Sequence, residues 1–488
     1  MTVWHPTDDG HADLADHDSY VNGTPHNTFQ RLRDEDPMAW CDWSEGKGFW
    51  SVTRHADILE LNRNHQRLSS AQGIRMEDQT HEEYMARRTF QETDPPEHTR
   101  TRMLVAKAFS KPMMALYEDQ IRELCVGILD QALGLGEFDA THQIARQLPM
   151  RMLGRIAGLP EEDLDWLVDK GDALMANTDS DFTSHVVDKM DTEAYRFMPF
   201  RSPAGADLFD YAAQMMERKR AAGDTSGVLH LITQPDAQGN VISDTEFRNF
   251  FCLLVAAGND TTRYSIAAAL HALANQPGLM AQLKAVQGEA AWEGVADEFI
   301  RWASPATHFR RTATEDFEYH GKQVKAGDKV LLWFISGNRD ERAFEQPFTV
   351  NLNRGVNRHL SFGQGGAHAL HQLGMHRRAT NTDGLEAAHL PARDIRMVQQ
   401  ARHHGWHRSP AVDLVTLNQF EHLSGIVAAT GHHQCVANNQ GAQQCLHLAD
   451  VKQRSGDQGN VVRRGLHLMR QLACDLQGHV QPGQHGTV

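Results

Sequence analysis

No stretch of this 488-residue chain approaches the ~18–20 consecutive apolar residues that a bilayer-spanning helix needs, and its first ten residues, from Met1 to Gly10, are largely polar and acidic. Neither a signal peptide nor a membrane anchor is expected, and a cytoplasmic protein is. Cysteine is scarce. Cys41, Cys125, Cys252, Cys435, Cys445 and Cys474 are scattered, without disulfide-like density or C-x-x-C spacing, as in a reduced cytosolic chain. Positive charge is also in deficit, with 48 Lys and Arg against 63 Asp and Glu. The resulting net charge of -15 argues against nucleic acid as a partner, because phosphate binding needs clustered cations.

The deficits become severe after His368. From Ala369 to Val488 there is one lysine (Lys452), no tyrosine, one phenylalanine (Phe420) and one tryptophan (Trp406), yet 13 of the 29 histidines. That segment carries a net +3 and the remainder -18. Gln and His pairs recur (Gln399-Gln400, His403-His404, His432-His433, Gln443-Gln444), and apolar periodicity is confined to short stretches such as Leu466 to Leu472. So few aromatics leave little from which to build a core. The expected organisation is one domain over residues 1–368 and an atypical His/Gln-rich tail over 369–488. The tail has three competing explanations: a disordered native extension, a metal-binding His-rich segment, or translation out of the native frame.

The strongest local signal in the first part runs from Ser243 to Gln276. Ser243 and Glu246 form a capping-box pattern, and Pro277 marks the end, which predicts one helix of roughly 50 Å. Its middle, Ala256-Ala257-Gly258-Asn259-Asp260-Thr261-Thr262, is small, polar and β-branched where helix propensity favours Leu or Ala. An Asp-Thr pair in an apolar helix suits proton delivery, since the hydroxyl can engage a backbone carbonyl and leave room for water. Gly258 would let a ligand approach the backbone; the plainer reading is a glycine kink with incidental polar neighbours.

Other segments are weaker alone. Glu298 and Arg301, three apart in Asp297-Glu298-Phe299-Ile300-Arg301-Trp302, share a helix face and would ordinarily be a surface ion pair. Phe317 to Phe334 alternates and turns at Ala326-Gly327-Asp328, predicting hairpin strands. Asp94-Pro95-Pro96 signals a helix start that places His98 and Arg102 on one face, either as a carboxylate-binding pair or as a solvated basic face. The glycine-rich run Phe362-Gly363-Gln364-Gly365-Gly366-Ala367-His368 has no following Lys-Ser/Thr, so a P-loop is unsupported.

In this order and at these separations, the segments from about residue 15 to 368 resemble the cytochrome P450 family, beginning with Gly48-Phe49-Trp50-Ser51-Val52-Thr53-Arg54 in the first sheet. The resemblance implies a mainly α (α+β) fold, a single large helical domain with small β-sheets, carrying haem b. It matches Asp260 and Thr261 to the acid-alcohol pair that relays protons to iron-bound dioxygen. Glu298, Arg301 and Arg354 match a buried ion-pair triad that locks the segment before the haem loop. His98, Arg102, Arg311 and His368 match positions that bind the haem propionates, through charge-assisted hydrogen bonds.

The family pattern continues Gly-x-His-x-Cys-x-Gly, which puts the thiolate ligand at 370 and glycine at 372, where this chain has Leu370 and Gln372. Leucine has no donor atom, and His371 would give an imidazole-ligated iron of different reactivity. Resemblance then fails for the whole remainder, where the family has a helix and closing strands. Loss of everything at once favours a change of reading frame, and Leu370-His371 written CTG-CAY contains TGC, a cysteine codon, one base later. Gly431-His432-His433-Gln434-Cys435 repeats Gly-x-His-x-Cys, but about 65 residues late and without Phe-Gly.

The implied reaction is insertion of one oxygen atom from dioxygen into a C–H bond of an apolar terpenoid, alkane or steroid-like molecule. With no fused flavin or iron–sulfur domain, electrons would come from a ferredoxin and its reductase. The competing readings are a catalytically inactive product without the thiolate cysteine, and a His-rich metal-binding tail on a haem-free helical scaffold. Deleting residues 369–488 is expected to leave zinc and nickel uptake unchanged in equilibrium dialysis; a loss of uptake would favour the metal-binding tail.

Overall fold

A computed structural model describes residues 12–20, 23–43, 46–106, 109, 111–175, 193–235 and 239–363, and the two-residue strands at 3–4, 396–397 and 415–416. All lie in Met1–Thr430, the first of two units of the chain. The tail is therefore almost wholly outside the described residues, as are His368 and Leu370.

The strands that organise the site are β1 (Val3–Trp4), β2 (Met38–Cys41), β3 (Phe49–Val52), β4 (Leu68–Ser69), β5 (Glu137–Phe138), β6 (Phe309–Ala313), β7 (Phe317–Tyr319), β8 (Lys322–Val324) and β9 (Lys329–Leu332). A six-stranded sheet has the order β1-β2-β3-β9-β6-β4. β9 sits inside it, parallel to β3 and antiparallel to β6, with Val330 opposite both Trp50 and Arg311. Both faces of β3 and β9 are buried, which explains why these strands read as nearly continuous apolar or aromatic runs. The one charge in β9, Lys329, is 1% exposed and reaches Asp78 at 3.1 Å across the Trp43 ring. Trp50 and Trp333 are also buried and satisfy their indole N–H groups on Asp328 (3.1 Å) and Ser51 (3.0 Å).

The expected hairpin divides differently. β7 and β8 form their own two-stranded sheet around a turn at His320-Gly321, both with positive φ. The turn at Gly327 (φ 84°) instead sends the chain from β8 into β9 of the large sheet. Phe334 opens a short helix and does not extend the strand. Alternation could identify strands here but not which sheet each would join, because pairing partners are distant in sequence.

The described residues also form fourteen α-helices besides shorter 3-10 and π turns: α1 (His26–Glu35), α2 (His55–Arg63), α3 (His81–Arg87), α4 (Glu97–Ala106), α5 (Lys111–Leu116), α6 (Glu118–Gly134) and α7 (Gln147–Ala157). There follow α8 (Leu164–Met175), α9 (Pro203–Ala222), α10 (Gly227–Ile232), α11 (Asp244–Asn275), α12 (Leu279–Lys284), α13 (Glu289–Ala303) and α14 (Phe334–Gly337). α11 starts on the expected capping box: the Ser243 hydroxyl accepts from Glu246 N–H, and the Glu246 carboxylate accepts from Ser243 N–H at 2.9 Å. Its 32 residues form a rod of about 48 Å. α7, α8, α9 and α13 pack around it, and its run Phe250–Ala256 is buried on every face, as a central helix requires. Among the described residues, no helix is long and apolar enough to cross a membrane.

The sheet core tests the packing directly. Leu331 is fully buried in β9, so Leu331→Ala is expected to lower unfolding stability by about 2–5 kcal/mol in a urea titration. A loss under about 1 kcal/mol would contradict this placement of β9.

Candidate functional site

A buried ion-pair node on α13 joins two charges that are wholly removed from solvent. Glu298 and Arg301, one turn apart, are both 0% exposed. They form a bidentate pair, with Nε and Nη2 of Arg301 each 2.8 Å from a Glu298 oxygen. Arg354 adds its Nε–H to Glu298 at 2.8 Å, Asn357 its amide at 3.1 Å, and Asn351 its backbone N–H at 2.8 Å. Arg301 spends its remaining donors on the carbonyls of Asn338, Pro347 and Thr349. The node therefore ties α13 to the irregular chain from 338 to 357. Burial alone would push the Glu298 carboxyl up, but Arg301, then the Asn351 amide and Arg354, outweigh it and hold the group below its ordinary 4.5.

Asn338 carries the constraint onward. Its carboxamide oxygen accepts from Leu360 N–H at 2.7 Å, and its amide donates to Ser304 and Ser361, both at 2.9 Å. Ser361 also donates to the Ile300 carbonyl at 3.0 Å. The segment leading into Phe362-Gly363 is thus held against the C-terminal end of α13.

A second group of residues surrounds Arg311 on β6. Its side chain is 2% exposed and donates to Asn62 Oδ1 and to the Arg310 carbonyl, both at 2.7 Å. Burial lowers its pKa to about 10. Among the described residues no carboxylate forms a direct ion pair with it, although the Asp94 carboxylate partly offsets the effect of burial. β6 pairs Thr312 with Ser69 of β4. Ser69 donates to Asp94 at 2.5 Å, as does Ser70 N–H at 3.0 Å. Asp94 accepts His98 N–H at 3.0 Å through its carbonyl, so the first turn of α4 is fastened beside the strand that bears Arg311. His98 is 2% exposed, with its ring 5.8 Å from that of Phe90. Arg102, one turn along, is half-buried, and burial lowers its pKa. His368 lies outside the described residues.

A buried guanidinium without a carboxylate is costly unless an anion completes it. Arg311 therefore fits a group bearing carboxylates, such as the two propionates of haem. The thiolate side is different. Of the described cysteines, Cys41 and Cys252 are buried, with pKa values pushed up by burial, to about 12 for Cys41; Cys125 is raised to about 11 by the same cause. None has the depressed pKa of a ready metal ligand, and position 370 lies outside the described residues. Among the described residues, no cluster of three or more His, Cys, Asp or Glu is arranged for a metal ion.

Asp260 and Thr261 occupy the middle of α11. Thr261 donates to the Ala257 carbonyl at 2.9 Å, the backbone engagement expected of the hydroxyl. Asp260 is 6% exposed and pairs with Arg263 one turn later. Arg263 continues to Asp172 of α8 at 2.5 Å. At Gly258 a Cβ would meet Leu153 of α7 at 3.1 Å. Its missing side chain admits a neighbouring helix, with no open approach for a ligand on that side. Sequence reasoning also missed Asp172, Arg146 and the bridging role of Arg263. Only the i,i+3 spacing of Asp260 and Arg263 offered a signal.

With this geometry established, the comparisons are specific. No protein-family model matches the chain. It is 32% identical over 368 residues to steroid C26-monooxygenase of Mycobacterium tuberculosis, covering 73% of this chain and 81% of that protein. It is 34% identical to cytochrome P450 126 of the same species, over 72% and 84% of the two chains. Mycobacterium marinum cytochrome P450 CYP268A2, solved with pseudoionone, superimposes with a TM-score of 0.66 at 31% identity, over 75% of this chain and 90% of that one. The chain belongs to the cytochrome P450 family of monooxygenases. That membership implies a haem iron cofactor and agrees with the mainly helical fold.

Glu298→Gln is expected to lower stability by about 3–5 kcal/mol, because two cations lose their shared carboxylate. Since the folded carboxyl lies below its ordinary 4.5, its stabilisation is present above that pH and is lost as acidification passes the folded value. Unfolding midpoints measured from pH 7 to 3 should show a smaller acid-dependent loss in Glu298→Gln than in the parent; equal slopes would contradict the assignment.

Proposed function

We propose that residues 1–368 are the catalytic domain of a haem-dependent monooxygenase. The reaction would place one atom of dioxygen into a C–H bond of an apolar small molecule of terpenoid, alkane or steroid type. The other atom leaves as water, taking two electrons from a ferredoxin and its reductase and two protons. The observation that carries this reading is the buried guanidinium of Arg311, which no carboxylate of the described residues ion-pairs, beside the first turn of α4. The printed names of relatives support the substrate class, since they include steroid C26-monooxygenase and a methyl-branched lipid omega-hydroxylase.

His98, Arg102, Arg311 and His368 would hold the propionates. Bound haem supplies dioxygen activation, and a thiolate ligand favours O–O cleavage by electron donation. Asp260 would receive protons and pass them towards Thr261, whose hydroxyl is held on the Ala257 carbonyl at 2.9 Å. Glu298, Arg301 and Arg354 would lock the chain that enters the haem loop.

The second reading concerns the chain as written. Leu370 stands where the ligand belongs, and composition changes at the same point. Residues 369–488 are therefore best explained as out of frame, and this polypeptide as inactive. Sequencing codons 360–380 is expected to reveal an interrupted frame. In carbon monoxide difference spectra, the chain as written should lack a thiolate-type Soret band, and the frame-corrected protein should show one. Absence of the band from the corrected protein would overturn the monooxygenase reading; its presence in the chain as written would overturn the inactive-product reading.

A further inference from the structure

Three arginines gather where the chain before α9 passes α3. Arg75 lies between β4 and α3, in a segment held beside β6 by the 2.8 Å bond from Arg310 N–H to the Ile74 carbonyl. Its guanidinium carbon stands 4.0 Å from the centre of the Phe200 ring. Arg201 follows Phe200 in the chain, and its Nε is buried without a hydrogen-bond partner among the described residues. Arg87, in the last turn of α3, donates to Gln79 Oε1 at 2.8 Å and to the Glu83 carbonyl at 3.3 Å. No carboxylate of the described residues forms a direct ion pair with any of the three. Burial lowers the Arg87 pKa, and Arg75 and Arg201 lower it further, while Glu83 and Glu92 oppose them. Those two carboxylates are engaged elsewhere: Glu83 caps Thr80 and lies 3.6 Å from Arg196, and Glu92 caps Thr89.

The backbone is bent where it presents this group. Phe200 and Arg201 are consecutive non-glycine residues in the left-handed region, with φ of 59° and 49°. Such conformations persist only where the surroundings impose them, and they concentrate at sites that clamp ligands. Phe200 also packs against the apolar cluster that holds Phe90 and, from α11, Phe250, Phe251 and Leu254. Nearby on the surface, Met85 of α3 and Phe197 are 45% and 41% exposed. Cations and apolar side chains side by side suit a molecule with an apolar body and an anionic end. Carboxylate is the anion whose two oxygens match the guanidinium fork.

The attachment of α3 to α11 sets how such a molecule would lie. Asn249 of α11 donates to the Ala86 and Arg88 carbonyls at 2.9 and 3.3 Å, which fastens the end of α3 that bears Arg87. From Asn249 to Asp260 the helix rises about 16 Å.

We propose that Arg75, Arg87 and Arg201 form a carboxylate subsite, so that the apolar substrate ends in an acid held there and extends its body along α11 towards Asp260 and Thr261. The proposal rests on the monooxygenase reading and narrows its substrate class.

Calorimetric titration of the full chain tests it without turnover, with dodecanoate and its uncharged methyl ester as probes at pH 7. The parent is expected to bind the acid at least about tenfold more tightly than the ester, as a charge-assisted contact implies. Arg75→Gln/Arg201→Gln should bring the two within about threefold of each other by weakening the acid alone. Equal binding of acid and ester by the parent, or a preference that survives the double variant, would overturn the proposal. If the double variant does not fold, Arg75→Gln alone decides, at a half-buried position: a reduced preference supports the subsite and an unchanged one overturns it. The monooxygenase reading stands or falls separately, on the carbon monoxide spectrum of the frame-corrected protein.

Discussion

The bidentate pair between Glu298 and Arg301 is the interaction on which the rest of the site depends. Two charges with no solvent exposure are normally a liability, because desolvation can exceed their attraction. Here the expense is offset by saturation. Glu298 accepts from Arg301, Arg354, Asn357 and Asn351, and Arg301 donates to three carbonyls as well as to Glu298. A hydrophobic replacement of the pair could fill the same volume, but would leave those three carbonyls and the Asn351 N–H without partners. The charges serve to fix an irregular segment that has no helix or sheet of its own to satisfy its backbone.

How much of this was legible follows from the range of the interactions concerned. The capping box and length of α11 were local, and the structure has both. So was the start of α4 after Asp94-Pro95-Pro96. Glu298 and Arg301 could be placed on one face from their spacing, but nothing in that spacing said the face was buried; only the family resemblance took the pair out of solvent and joined Arg354 to it. The division of β7, β8 and β9 between two sheets was hidden because β9 takes its partners from residues 49–52 and 309–312, which alternation cannot announce. Gly258 shows a related ambiguity: a missing Cβ indicates close approach without saying by what, and in the direction a Cβ would take the neighbour is Leu153. The row of ion pairs from Asp260 through Arg263 and Asp172 to Arg146 crosses three segments and had no local sign beyond Arg263 one turn from Asp260.

The node also bears on the missing ligand. Its hydrogen bonds reach Asn357, and those of Asn338 and Ser361 continue through Leu360 and Ser361 to the end of α13. The chain is accordingly held until shortly before Leu370, the position where the family places its thiolate. A site shaped by drift after loss of function would be expected to loosen first in such costly buried polar contacts, since each unsatisfied group left behind is destabilising. Instead the Glu298–Arg301 pair and the bonds of Asn338 and Ser361 are in place, and composition changes only beyond them. Intact support before Leu370 is what the proposed change of reading frame would leave behind. Gradual decay of an enzyme would have spread its damage across both the support and the ligand.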